Sequence, residues 1–467
     1  MNLRKNILFS ILALAVVCCL ALSLLAIFGA GALAWQIYSN PTWQRTPAAA
    51  GTPLPLITMP VSESKSIPAE LARQMDTIQR QVLSYRSLPL KQPVQRGLLS
   101  VEELREKVEK DFFAEYSRED AANDTRILSA FGLLSPDFKL YDFYVALYAE
   151  QVAGYYDPKS KEMFVVKGKG FNGPERSTYA HEFTHVLQDQ NFDLRNGLKI
   201  TQEYCKHNTE YCSAVQALIE GDAVLSEQTW FSRFATAQDR RDTQEFYRNY
   251  KSPVYDSAPA YLKLDFLFPY QQGYEFVQTQ FDKGGWNAVN ALYQQLPIST
   301  EQILHPERYP AEKILDTPVP DLAAALGAGW KEIDRNALGE WYTYLVLTQG
   351  WNVSARISES EGRKAAEGWG GDRYACYWND ALKQGLLIFR SRWDTATDAV
   401  EFWEAAQTYG KNRWGKPDLT KTNLITWDKT ADGAVIFARN TQEVIWLISP
   451  NAAALDAARK AIDGFPW

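Results

Sequence analysis

Apolar residues recur along this chain with two different periods. Leu71, Met75, Ile78 and Val82 fall every three or four positions and predict an amphipathic helix over Ala69–Ser84. Helical patterns also cover Val101–Tyr116 and Leu140–Ala153. Gly154-Tyr155-Tyr156-Asp157-Pro158 then reads as a turn, and Glu162-Met163-Phe164-Val165-Val166 as a strand. In the next helix Tyr179, Ala180, Phe183, Val186 and Leu187 supply a buried side, with Ser177 as N-cap. A further helical run passes through Ala217–Val224 and continues to about Asn249. Phe266–Asp282 follows as a helix, broken by Lys283-Gly284-Gly285-Trp286.

From about Asp321 the pattern changes. Helical segments at Leu338–Leu347, Asp398–Tyr409 and Ala452–Ile462 are interspersed with strand-like runs at Leu386–Arg390, Gly433–Arg439 and Val444–Ser449. Gly368–Asp372 reads as a turn, or as a loop reaching toward a site. The expected class is α+β: a mainly helical domain with a small sheet over residues 69–320, then an α+β module with antiparallel character over 321–467.

The first 68 residues stand apart. Arg4 and Lys5 precede Ile7–Trp35, which contains no charged residue and is long enough to span a bilayer. Trp35, Tyr38 and Trp43 suit the far interface, and the basic N-terminus favours the cytoplasmic side. Residues 1–38 are therefore expected to be a transmembrane anchor with the bulk of the chain outside the cytoplasm, and 39–68, rich in Pro, Ser, Thr and Ala, a flexible linker. The rival is a cleaved signal peptide, with Ala30-Gly31-Ala32 or Ala32-Leu33-Ala34 as the cleavage site and a secreted product. The net charge of −7 and dispersed Lys and Arg exclude a nucleic-acid footprint. Cys205 and Cys212 flank a short polar loop; in an oxidising compartment they are placed for a local disulfide, otherwise they are two free thiols. Cys376 has no evident partner.

The chemistry sits in His181-Glu182-Phe183-Thr184-His185, which uses two of the four histidines. On a helix, residues four apart share a face, so both imidazoles can grip one metal ion while Glu182 addresses the water or substrate beside it. Catalytic zinc sites usually have three protein ligands and one open position. No histidine follows in the next turns. Glu220, 35 positions beyond His185, lies among Val215, Leu218, Ile219, Ala223 and Val224, where an unpaired carboxylate is costly to bury and a cation would compensate it. Glu220 is the expected third ligand and Glu227 the alternative. Asp189 and Asp222 are candidates to orient a ligating imidazole from behind. The strand before this helix is either a plain core strand or one whose open edge holds an extended peptide; the second reading places Tyr155, Tyr156 and Phe164 on the substrate rim. His305, in Pro297–Pro306, is either a donor to an oxyanion or a capping histidine; Tyr155, Tyr156 and Tyr270 are either donors or core.

The segment Ala180–Gln190, with Glu220-Gly221-Asp222-Ala223, resembles the gluzincin group of zinc metallopeptidases, and more closely bacterial membrane-anchored members of it. Gly154–Pro158 and Ser299–Pro306 are similar to recurring elements there. The resemblance covers roughly Leu140–Pro310. It implies a zincin-like fold, a small sheet with an active-site helix beneath a substrate-binding edge strand. It also implies one zinc ion on His181, His185 and Glu220, Glu182 as general base, and a peptide or protein substrate. Gluzincins often carry an Asp four residues after the ligand Glu; here position 224 is Val. Two other classes remain open: a non-catalytic binding or sensor protein that zinc merely stiffens, and a zinc hydrolase of another amide, such as a cell-wall linkage.

Overall fold

The computed structural model describes residues 67–467 apart from 101, 104, 108–109, 111–115, 152–153 and 167–169. The apolar run Ile7–Trp35 lies outside these, as does much of the expected helix Val101–Tyr116. Among the described residues no helix is long and apolar enough to cross a membrane.

Helix α1 (Ala69–Arg86) buries Met75, Ile78 and Val82, as their spacing requires. Strand β1 (Gln95–Leu99), helix α2 (Arg118–Ala130) and helix α3 (Leu140–Gln151) follow. Strands β2 (Gly154–Asp157) and β3 (Glu162–Val166) then complete a three-stranded sheet in the order β1-β3-β2, with β1 parallel and β2 antiparallel to β3. This corrects two expectations. Gly154–Asp157 is a strand rather than a turn, and β3 is paired on both sides. The antiparallel open edge belongs to β2.

Helix α4 (Gly173–Phe192) carries the two metal-motif histidines. It starts a turn earlier than expected. Asn172 precedes it, Pro174 occupies its first turn, and Glu175 accepts from the Asn172 N–H at 3.4 Å. Ser177 is therefore inside the helix rather than at its cap. Helix α5 (Thr209–Phe234) packs against α4 and ends at Ala235, whose extended backbone separates it from a further helix, Ala237–Asn249. Cys205 and Cys212 are joined by a disulfide just ahead of and inside the first turn of α5. Helix α6 (Ala260–Leu292) bends where the sequence breaks, at Gly284 and Gly285, which leave helical geometry.

Helices α5 and α6 touch through backbone. A Cβ on Gly221 would lie 2.1 Å from the Gly273 carbonyl oxygen, and one on Gly273 would lie 2.1 Å from that of Ala217. Neither position tolerates a methyl group without the helices moving apart. Gly221→Ala is expected to cost about 1–3 kcal/mol, as overpacking does. Because Glu220 is its neighbour, metal affinity should fall as well; thermal melts and zinc titration of the variant read the two effects.

The C-terminal part begins after the short helix α7 (Thr300–Leu304). It comprises β4 (Trp330–Asn336), α8 (Gly339–Thr348), β5 (Trp369–Asn379), β6 (Gln384–Trp393), α9 (Ala396–Trp414), β7 (Leu419–Lys421), β8 (Leu424–Thr430), β9 (Gly433–Arg439), β10 (Glu443–Ser449) and α10 (Ala452–Lys460). The strands form one antiparallel sheet, β4-β5-β6-β10-β9-β8-β7. On one face α10 packs Ala454 and Ala458 on Ile388, Ile436 and Leu447. On the other, α9 and the first part of the chain meet Phe389, Phe437 and Trp446. The molecule is thus α+β. Gly368–Asp372 is not a loop toward the metal motif: β5 begins at Trp369, and buried Asp372 accepts from the backbone N–H groups of Leu338 and Gly339, each at 2.8 Å.

The two parts share one apolar core. The Phe131 ring lies 5.3 Å from Tyr374 and 6.2 Å from Trp446, edge to face, and Phe268 sits 4.7 Å from Trp341. Polar groups are buried along the same seam. Glu210 accepts from Thr300 N and Oγ1 at 2.5 and 2.7 Å. Burial pushes its carboxyl up to about 8; the Thr300 donors oppose this, and the Asp372 and Glu340 carboxylates add to it. A folded value above the ordinary 4.5 means the fold prefers the protonated acid. That contribution is complete below about pH 4.5 and is lost as pH rises through about 8. The melting temperature should therefore fall between pH 5 and pH 8.5. Glu210→Gln should flatten the profile, removing up to ~1.4 kcal/mol per pH unit. Melting curves across that range measure it.

Candidate metal centre

Four helical positions separate His181 from His185, and α4 accordingly brings their ring centroids to 4.8 Å. Helix α5 lays Glu220 across them. Its Oε2 is 3.3 Å from His181 Nε2 and 3.5 Å from His185 Nε2. Three ligands about 2.0–2.1 Å from a tetrahedral zinc ion stand about 3.3–3.4 Å from one another. The three side chains are 0–4% exposed. The set predicted from sequence is therefore gathered at one point.

Each imidazole turns its other nitrogen to a support. His181 Nδ1 is 3.1 Å from Glu227 Oε2, and Glu227 Oε1 accepts from the Ser177 hydroxyl at 2.8 Å. Glu227, the alternative ligand, thus stands behind the ring. His185 Nδ1 is 2.8 Å from Gln188 Oε1. Gln188 was not singled out from the sequence, although its i+3 spacing from His185 carried the signal. Asp222 reaches the imidazole only through Gln188, whose Nε2 donates to Asp222 Oδ2 at 2.8 Å. Asp189 does not orient either ring. The hairpin claims it instead: Tyr156 Oη, Lys161 Nζ and the Leu194 N–H all donate to its carboxylate.

Glu182 lies beside the cluster. Its carboxylate and the two imidazoles each offer a ligand atom, all within 4.8 Å of one another. Its Oε2 accepts from the Tyr156 backbone N–H at 3.0 Å, so the outer edge of β2 runs along the centre. Glu182 Oε1 and His185 Nε2 are buried without a hydrogen-bond partner among the described residues, His185 Nε2 standing 3.5 Å from Glu220 Oε2. Buried polar atoms left open in this way fit a site that takes an ion and a water.

The electrostatics favour a cation. Burial raises Glu182 to about 7, against the pull of both imidazoles. Burial would also raise Glu220, but His185 and His181 hold it down at about 2. Burial opposes the charged form of His181, yet Glu220 and Glu227 together lift it to about 10; His185 is raised by Glu220 in the same way. The carboxylates thus draw positive charge onto the ring nitrogens, which a divalent ion supplies without protons.

The remaining candidates are dispersed. Tyr270 is buried with its ring 6.4 Å from that of His181, near parallel. Tyr155 and Phe164 pack on each other at 5.1 Å, and with Tyr156 they are 4–7% exposed. They line the sheet beside the centre rather than an open rim, and Phe164 lies on the central strand. His305 follows α7 as its C-cap, with Nε2 2.9 Å from Glu340 Oε1. Glu340 belongs to the buried seam with the C-terminal part rather than to the metal cluster. There Arg308 gathers Glu301, Glu312 and Asp394.

A family model described as a domain of unknown function (DUF8575) matches residues 326–459, the C-terminal sheet and its helices. It does not reach the metal cluster. No curated protein and no solved structure matches the chain.

Proposed function

We propose that the chain is a gluzincin-type zinc peptidase that hydrolyses peptide bonds outside the cytoplasm, held to the membrane by Ile7–Trp35. The observation that carries this reading is the triangle of His181 Nε2, His185 Nε2 and Glu220 Oε2, with the open Oε1 of Glu182 beside it. Bound there, zinc supplies Lewis acidity, lowering the pKa of water toward ~7 and polarising a carbonyl. Glu182 takes the water proton at Oε1 and delivers it to the leaving amine nitrogen. Its Oε2 stays on the Tyr156 N–H, which holds the carboxylate in place through the transfer. The edge of β2 that no described strand pairs offers its main-chain groups, apart from the Tyr156 N–H that Glu182 holds, to an extended peptide. An active-site helix under an antiparallel edge strand, with the third ligand on the next long helix, supports a zincin-like arrangement. The Cys205–Cys212 disulfide suits an oxidising compartment.

The test is metal content and cleavage together. Purified protein should hold one zinc per chain and cleave members of a peptide library. A chelator should stop cleavage, and added zinc should restore it. Zinc without cleavage of any peptide would favour the sensor reading, and cleavage confined to non-peptide amides would move the substrate class.

A further inference from the structure

We infer that Arg86, acting through Asp222 and Gln188, is a positioning residue of the metal centre that fixes which nitrogen of His185 faces the ion. The inference rests on the metal site proposed above.

The chain of contacts starts on α1. The Arg86 side chain is wholly buried, and so is Asp222. Nε and Nη2 of Arg86 donate to Asp222 Oδ1 and Oδ2 at 2.8 and 2.6 Å, a two-pronged grip that sets the plane of the carboxylate. Arg86 is itself held: Nη1 donates to Asn290 Oδ1 at 2.5 Å, and the guanidinium carbon lies 4.7 Å from the Trp286 ring centre. Tyr293 Oη donates to Asp222 Oδ2 at 2.7 Å, and Gln188 Nε2 donates to the same oxygen at 2.8 Å.

Donor and acceptor inventory then determines the rest. The second Gln188 amide hydrogen goes to the Ile219 carbonyl, 2.9 Å away. Turning the amide over would set its oxygen against two acceptors, Asp222 Oδ2 and Ile219 O, so one orientation alone satisfies the buried groups. In that orientation Gln188 presents Oε1 to His185 Nδ1 at 2.8 Å, and an acceptor there requires the hydrogen on Nδ1. The lone pair is left on Nε2, the nitrogen aimed at Glu220 and open to a metal. Without the guanidinium, Asp222 keeps two donors of four and loses the pair that sets its plane. Gln188 and the imidazole lose their alignment in turn. His181 rests on the Glu227 carboxylate instead, so this chain acts on one ligand of the three.

The experiment uses a double-mutant cycle read by zinc affinity and by the visible spectrum of the cobalt-substituted protein. Arg86→Lys keeps the buried positive charge and loses the two-pronged grip; Gln188→Met removes the middle link without leaving a charge. Each should weaken zinc binding about 10–100-fold, the range for such supporting contacts. Each should also shift the cobalt bands. Arg86→Lys added to Gln188→Met should have little further effect, because its influence passes through Gln188. If Arg86→Lys does not fold, Gln188→Met carries the same expectation, with zinc weakened and the cobalt bands shifted in a chain that still folds. Wild-type affinity and spectrum in Gln188→Met would overturn the inference. So would losses that multiply in the double variant, as general destabilisation would produce. A wild-type protein that binds no zinc would bring down the metal site and this inference with it.

Discussion

Glu182→Gln should retain one zinc ion per chain and lose about 10²–10⁴-fold in turnover, the usual contribution of a positioned acid–base group. The amide is nearly the same size and keeps an oxygen to accept from the Tyr156 N–H, so the fold and the ligand triangle should persist. It has no basic site for the water proton and none to return to the leaving amine. The loss should fall on turnover, with little change in the Michaelis constant, because the missing transfer belongs to the transition state. Metal analysis and steady-state kinetics on one preparation decide it. Full activity in this variant would remove Glu182 from the mechanism and leave the cluster as a structural site.

Glu220→Ala should lose both metal and activity. Its Oε2 is the corner that faces both imidazole Nε2 atoms; Glu227 is engaged with Ser177 and the far nitrogen of His181, and Glu182, the other carboxylate beside the rings among the described residues, is held by the Tyr156 N–H. Zinc content should drop from one per chain to near zero after dialysis, and cleavage by about 10³-fold or more, the scale on which a lost Lewis acid is felt. Glu220→Gln offers a milder comparison, with the shape retained and the charge removed. Should Glu220→Ala hold zinc as firmly as the parent chain, the third ligand is elsewhere and Glu227 becomes the residue to replace next.

What could be read in the sequence follows the range of the interactions. His181 and His185 were legible because a helix fixes their relation within one turn and a bit. Glu220 was legible because an acid in an apolar run needs a reason to be there. Gln188 carries no charge and was passed over, and Arg86 lies 136 positions from Asp222, so no local pattern joins them. The hold of Tyr156 on Glu182 uses a backbone N–H, which any residue supplies. Asp189 looked placed to reach an imidazole, but the Tyr156 hydroxyl and Lys161 were closer. Among strands, β3 and β9 matched their expected bounds. Strand β5 was not expected at all, because it is buried on both faces and shows no alternation, and Gly370-Gly371 at its start reads as a turn.

The Phe131 ring wedged against Tyr374 and Trp446, and the Trp341 and Tyr342 side chains bonded to Asp265, bear on what this polypeptide can shed. A cut near residue 320 would not release two self-sufficient folded units. It would bare aromatic surface on both fragments and take from Asp265 the two donors that hold it, leaving two sticky halves in place of one folded body.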